Sequence, residues 1–168
     1  MRICIVSDSH DRAQSLVAAA EAARAEQAEV MIHCGDVIGA NTVRPLMKMG
    51  MPMHVVHGNN AGDPLALREL AYSSNGSLHY YGQDATITLS GRRIFMTHMP
   101  HYGRAFACTG EYDLVCYGHT HEAALEQERN VKGGMTWLVN PGTVAGLGAP
   151  ATWVLGDLAS MHFEIRAL

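Results

Sequence analysis

Short runs rich in β-branched residues recur along this chain, and most of them stop at a small polar cluster of Gly, Asp, Asn or His. Arg2 to Ser7 is the first, and it predicts a strand ending in a polar turn. Gln14 to Gln27 is rich in Ala, Glu and Arg and predicts a helix. Glu29 to His33 predicts a second strand, closed by Gly35-Asp36, and Met53 to His57 a third, closed by Gly58-Asn59. Two further helices are predicted: Thr42 to Met49, with Pro45 in its first turn, and Pro64 to Ala71, which starts with proline after Asp63. The order β-α-β-α-β-α implies a parallel sheet with right-handed crossovers.

The second half is denser in strands. Ala85 to Leu89 and Arg92 to Thr97 flank Ser90-Gly91 and read as a hairpin. Leu114 to Tyr117, Ala123 to Gln127, Thr136 to Val139, Ala151 to Leu155 and Met161 to Arg166 follow as strands. The expectation is therefore an α/β chain in which two sheets pack face to face with helices outside. At 168 residues it suits one domain spanning residues 1–168. A chain of this length buries roughly 70% of its unfolded surface and needs no disulfide to fold.

Composition narrows the function classes. Twelve basic residues against 16 acidic ones give a net charge of −4, so no basic footprint for nucleic acid is present. No stretch approaches the ~20 apolar residues of a membrane span, and the apolar run at the start is too short for a signal peptide. The four cysteines, Cys4, Cys34, Cys108 and Cys116, form no CxxC pair. Three of them sit in apolar runs, which suits buried free thiols in a reducing cytoplasm. Edge strands and an apolar C-terminus leave room for a homodimer. Ten histidines are the unusual count, and they point toward metals or proton transfer.

The polar residues, four of these histidines among them, collect where strands are predicted to end: Asp8-Ser9-His10, Gly35-Asp36, Gly58-Asn59, Thr97-His98 and Gly118-His119-Thr120-His121. In parallel α/β sheets, ligands bind beyond the carboxyl ends of the strands, so these clusters are expected to converge. The set offers two Asp, one Asn and four His, a mixture that suits Mn, Fe, Zn or Ni better than Mg or Ca. Seven side chains are too many for one ion; sharing a carboxylate, they suit two ions about 3.5–4 Å apart. Asp8 and His10, like His119 and His121, would share a face if their segments stayed extended. Gly35, Gly58 and Gly118 each precede a proposed ligand and let the backbone approach without a Cβ.

Taken in order, these motifs resemble those of the calcineurin-like metallophosphoesterases, and the small YfcE-like phosphodiesterases are the nearest subgroup. Asn140-Pro141-Gly142-Thr143 is similar to that subgroup as well, and the resemblance runs from Ile3 to about Leu158. It implies a four-layer αββα sandwich of two mixed sheets and a phosphodiesterase acting on a small phosphoester substrate. It further implies two transition-metal ions, with manganese favoured. One ion would be held by Asp8, His10, Asp36 and His121, the other by Asp36, Asn59, His98 and His119, with Asp36 as the bridge. A hydroxide between the ions would attack phosphorus in line. Asp36, Asn59 and His98 carry over as catalytic residues as well as ligands.

Two positions depart from the family pattern. Many relatives place His or Cys after Gly-Asn, where this chain has Asn60, which cannot protonate a leaving alkoxide. The usual His-Gly-His is replaced by His98-Met99-Pro100-His101, one residue longer. A proton would then come from His101, from His57 or from a water on the metal, unless the leaving group needs none. His33, His54, His79 and His162 are expected to be packed structural residues. Asp11 and Asp63 are read as helix caps, Asn140 as the closure of a turn, and Arg12 and Arg104 as surface residues. Two rival classes remain, a protein-binding scaffold of the same fold and a slow nucleotide-binding module; the complete set of seven donors counts against the scaffold.

Overall fold

The computed structural model describes residues 1–168. Eleven strands form two mixed sheets. The first sheet contains β1 (Arg2–Val6), β2 (Ala28–His33), β3 (Met53–Val55), β4 (Leu78–Tyr80), β10 (Thr152–Asp157) and β11 (His162–Ala167), in the order β11-β10-β1-β2-β3-β4. Strands β1 to β4 run parallel, and β10 and β11 add antiparallel at one edge. The second sheet contains β5 (Ala85–Leu89), β6 (Arg92–Met96), β7 (Leu114–Cys116), β8 (Ala123–Arg129) and β9 (Met135–Pro141), in the order β5-β6-β7-β9-β8. Within it β6, β7 and β9 are parallel.

Alternation along β1 shows how the layers are held. Ile3 and Ile5 face the second sheet, packing in one cluster with Val30 and Ile32 of the neighbouring β2 and with Ile94, Met96, Leu114 and Val139 across the interface. Cys4 and Val6 point the other way, into a cluster with Leu16, Ala19, Ala20 and Ala23. These last residues lie on α1 (Ala13–Ala25), which covers the outer face of the first sheet together with α2 (Ala40–Val43) and α3 (Pro64–Ser73). Helix α4 (Pro100–Ala107) covers the outer face of the second sheet through Ala107 against Phe95, Val115 and Leu138. The result is the expected αββα layering. Each fully buried Ile or Leu contributes about 1.5–3 kcal/mol from the water it no longer meets.

Most expected elements are present within a few residues of their predicted ends. The Thr42–Met49 helix is not: α2 stops at Val43, and Arg44–Lys48 is a 3-10 turn with Pro45 near its start. Proline has no N–H to donate and its ring crowds the preceding turn, so the α-helical ladder does not run through it. Two elements were not anticipated. Strand β4 is only three residues long and α4 begins at Pro100 and contains Gly103, so neither presents a long periodic signal. Asp63 caps α3 as expected, its Oδ1 accepting from the Ala66 N–H at 2.9 Å. Asp11 does not cap α1. Its Oδ1 accepts instead from the Gly39 N–H at 2.9 Å and the Thr42 hydroxyl at 2.7 Å, tying the loop after β1 to the start of α2. The four cysteines are free, with Cys4, Cys34 and Cys116 buried. No helix is long and apolar enough to cross a membrane.

Candidate metal centre

The C-terminal ends of β1, β2 and β3 in one sheet and of β6 and β7 in the other open on the same site. Asp8 and His10 follow β1, Asp36 follows β2, Asn59 follows β3, His98 follows β6, and His119 and His121 follow β7. The segments are not extended there, contrary to the expectation from residue spacing. Asp8, His10, Asp36, His119 and His121 all have positive φ, between 43° and 76°. For residues with a Cβ this left-handed region costs of order 1 kcal/mol or more each, and such strain gathers at functional sites. Backbone bonds from Asp8 N–H to Gly35 O (3.0 Å) and from His10 N–H to Asp36 O (2.9 Å) hold the first two turns against one another.

All seven side chains meet. His121 Nε2 lies 3.2 Å from Asp8 Oδ1 and 3.2 Å from His10 Nε2. Asp36 reaches both sides, with Oδ2 3.7 Å from His10 Nε2 and Oδ1 3.4 Å from His98 Nε2. Asn59 Oδ1 lies 2.9 Å from His98 Nε2 and 2.7 Å from His119 Nδ1. Ligand atoms of Asp8, His10 and His121 form one close group, and those of Asp8, Asp36 and His98 a second. Asp8, Asp36 and His98 are buried, whereas Asn59 and His119 are exposed, so the cluster has a closed floor and an open rim.

The protonation pattern decides what this cluster can hold. His98 Nδ1 sits 2.8 Å from the Cys34 carbonyl and His121 Nδ1 sits 2.7 Å from the Leu147 carbonyl. A carbonyl only accepts, so each Nδ1 carries the proton and each ring turns its Nε2 inward, where it is free to serve as a ligand. Those Nε2 atoms face carboxylate and amide oxygens, and that of His121 also faces His10 Nε2 at 3.2 Å. Asp8 Oδ2 accepts from the His119 N–H at 3.0 Å, but its buried Oδ1 has no hydrogen-bond partner. Buried acceptors facing acceptors are unfavourable unless cations lie between them. The nitrogen and oxygen donors therefore fit two divalent metal ions, with the backbone carbonyls fixing the imidazole orientation from behind.

Neighbouring residues set this approach. At Gly118 a Cβ would strike the Ser7 hydroxyl and the Asp8 carboxylate, and at Gly58, with φ +87°, it would strike Asp36 Oδ1. Asn60 holds Asp36 from outside, its backbone N–H donating to Oδ1 at 2.9 Å and its amide donating to Oδ2. Asn140 closes its turn by accepting from the Gly142 N–H at 2.9 Å. It also donates to the Thr120 hydroxyl at 2.8 Å, which braces the His119–His121 loop. Thr143 donates to the Asp8 carbonyl at 2.9 Å. His33 is fully buried; its Nδ1 accepts from the Gly35 N–H at 3.2 Å and its Nε2 lies 3.0 Å from the Ser9 hydroxyl. Burial pushes its pKa down to about 3, so the ring is neutral. Sequence reasoning gave His33 and Asn140 structural roles; what it missed is that both brace site loops, through the hydroxyls of Ser9 and Thr120, whose positions only the fold reveals.

The remaining candidates lie around the rim. His57 Nδ1 is 2.7 Å from the Tyr80 hydroxyl, and the ring borders a cavity of about 240 Å3 that also touches Asn59 and His98. His101 lies on the first turn of α4, exposed, with its ring 4.2 Å from that of Tyr102. Arg104 pairs with Glu126 and Glu128 on the exposed surface, so its charge is already matched.

The profile of the calcineurin-like phosphoesterase superfamily domain matches residues 1–161. The chain belongs to this superfamily. It is 29% identical over 169 residues to the phosphodiesterase MJ0936 of Methanocaldococcus jannaschii, with 98% of each chain covered. It is 29% identical over 154 residues to the probable metallophosphoesterase YsnB of Bacillus subtilis, covering 86% of this chain and 75% of that one. The solved structure of an archaeal phosphodiesterase superposes with a TM-score of 0.89 at 26% identity, each chain covered completely. Superfamily membership and the buried His/Asp groups thus point to the same metal-dependent phosphoester chemistry.

Proposed function

We propose that this chain is a phosphodiesterase that works with two divalent cations, both held within one domain spanning residues 1–168. Asp8, His10, Asp36 and His121 would hold one cation, and Asp36, Asn59, His98 and His119 the other. Asp36 suits the shared position because its two oxygens face His10 and His98 on opposite sides. The mixed oxygen and imidazole set favours manganese, with nickel, iron or zinc as substitutes. When bound, the pair would supply Lewis acidity, lower the pKa of water and offset charge on the phosphoryl oxygens. The chain's own residues do the positioning. Asn60 steadies Asp36, the Cys34 and Leu147 carbonyls orient His98 and His121, and the exposed rim at Asn59 and His119 admits an anion despite the net charge of −4. His57 borders the cavity beside Asn59 and His98, which places it better than His101 to give a proton to a leaving alkoxide. The buried free thiols suit a reducing cytoplasm.

The observation that carries this reading is the buried Asp8 Oδ1, which has no hydrogen-bond partner and stands among the ligand atoms of His10, Asp36, His98 and His121. The test is hydrolysis of bis(p-nitrophenyl) phosphate. Turnover is expected to require added manganese or nickel, to stop with chelator, and to be abolished by Asp36→Asn. Full metal-dependent turnover by that variant would overturn the bridging role. Metal content separates the scaffold reading: well under one ion per chain after reconstitution would favour it.

A further inference from the structure

Helix α3 buries one side and carries a second apolar stripe on the other. Leu67 and Leu70 face the core, with Ala66 and Ala71 packed beside them. Successive residues of an α-helix turn by about 100°, so Leu65, Arg68, Glu69 and Tyr72, spaced i, i+3, i+4 and i+7, share the opposite side. Leu65 is 71% exposed and Tyr72 93%, so two of the three most exposed large hydrophobic side chains of the molecule line up on one short helix. Single apolar side chains scattered over a surface are ordinary, whereas two in register mark a contact surface. The four side chains frame a shallow hollow of about 360 Å3 on the outside of the helix.

The charges of the stripe decide what covers it. Arg68 and Glu69 are adjacent in sequence and do not face each other, and neither joins a salt bridge of the chain. Around the midline through Leu65 and Tyr72, Arg68 lies about 50° to one side and Glu69 about 50° to the other. A two-fold axis along the stripe, between two copies of the helix pointing the same way, exchanges those sides. It sets Arg68 against the partner's Glu69 and Glu69 against the partner's Arg68. Leu65 then meets Leu65 and Tyr72 meets Tyr72 along the midline. Such an interface uses the same patch on both copies. Helices pointing opposite ways would set Arg68 against Arg68 and Glu69 against Glu69, so charge selects the parallel pair. A lipid surface is a poorer match, because the stripe offers one cation beside one anion rather than a row of Lys and Arg.

We infer that α3 is a self-association surface, through which two copies of this chain pair by Leu65, Arg68, Glu69 and Tyr72 about a two-fold axis parallel to the helix. A standard stable interface covers about 800 Å2 on each partner, and four side chains of one helix cover less, so the dimer is weak and reversible, with a Kd on the order of 100 µM. The inference stands apart from the phosphodiesterase reading.

Sedimentation velocity on the full chain, from about 10 µM to about 1 mM and in chelator so that no ion bridges two copies, tests it. The wild type is expected to pass from monomer to dimer over this range. Arg68→Glu and Glu69→Arg each place like charges across the axis, and each variant alone should dimerise at least about tenfold more weakly. Mixed in equal amounts, the two variants regain both opposite-charge contacts and should associate within about threefold of the wild type. Leu65→Ser combined with Tyr72→Ser should abolish the dimer over the whole range. Val131→Ser, at an equally exposed position on the turn between β8 and β9, should leave it intact. All four stripe residues are exposed, so the variants should keep the far-UV spectrum of the wild type. A wild type that stays monomeric at the highest concentration overturns the inference, as does a dimer that persists in the Leu65→Ser, Tyr72→Ser protein. A dimer indifferent to both single charge reversals overturns the parallel pairing on which the inference is built.

Discussion

Replacing Asp8 with Asn separates what the centre does for metal from what it does for the fold. In the metal-free protein Asp8 Oδ2 accepts from the His119 N–H, while Oδ1 is buried without a partner, 3.2 Å from the His121 Nε2 lone pair. An asparagine of the same shape keeps the first bond through its carbonyl oxygen and turns its NH2 toward that lone pair. One buried unsatisfied acceptor, which costs about 1–3 kcal/mol, is removed, and one hydrogen bond worth about 0.5–1.5 kcal/mol is gained. Setting aside part of this for burying the new amide leaves a net gain of about 2 kcal/mol, or ~4–8 °C in Tm for a chain of this size. Manganese at a hundred times its Kd would stabilise the wild type by about 2.7 kcal/mol, and that increment should vanish in the variant. Scanning calorimetry in chelator and in manganese reads both effects. A metal-free Asp8→Asn protein that melts at or below the wild type would refute the claim that Asp8 Oδ1 is held against its own stability.

Other perturbations have equally definite outcomes. Gly118→Ala forces a methyl onto Ser7 and the Asp8 carboxylate, so it should weaken manganese binding by at least about tenfold by titration calorimetry while keeping the far-UV spectrum. Burial holds the His33 pKa at about 3 against the ordinary 6.5, so between those values the unfolded chain binds the extra proton. Metal-free stability should therefore be greatest above pH ~6.5 and fall as pH drops toward 3, by up to about 1.4 kcal/mol per pH unit from this group. Urea midpoints at stepped pH should show a shallower slope in His33→Asn; equal slopes would place the acid sensitivity elsewhere. Ile94→Ala empties a fully buried position between the sheets and should cost about 2–5 kcal/mol by urea unfolding.

Much of this was legible in the residues because the strands are short, β-branched and closed by turn residues, so β1, β2, β3 and the β5–β6 hairpin announced themselves. The seven donors were legible for a related reason: parallel strands deliver their C-terminal tips to one edge. The route by which those tips converge was not. Asp8, His10, Asp36, His119 and His121 reach the centre through left-handed turns, which a period-two pattern does not encode; at Asp8 and His10, hydrogen bonds to the Gly35 and Asp36 carbonyls hold those turns. Backbone acceptors such as the Cys34 and Leu147 carbonyls leave no signature in residue type, so the orientation of His98 and His121 could not be read ahead. Pro45 misled in the opposite sense: it starts a tight 3-10 turn here rather than an α-helix. Helix α4 escaped because Pro100 and Gly103 hide a surface helix whose stability comes from the sheet beneath it.

Four of the seven donors hang from one layer and three from the other, with Asp8, His10, Asp36 and Asn59 on the first sheet and His98, His119 and His121 on the second. Cations held by this set would lace the mouth of the sandwich shut, and a slip between its halves would displace every contact across that seam at once. Ion affinity would then be a gauge of how well the distant Ile and Leu residues of the interior mesh, and an enlarged or eroded side chain there would surface as leaky metal retention long before the molecule unravels.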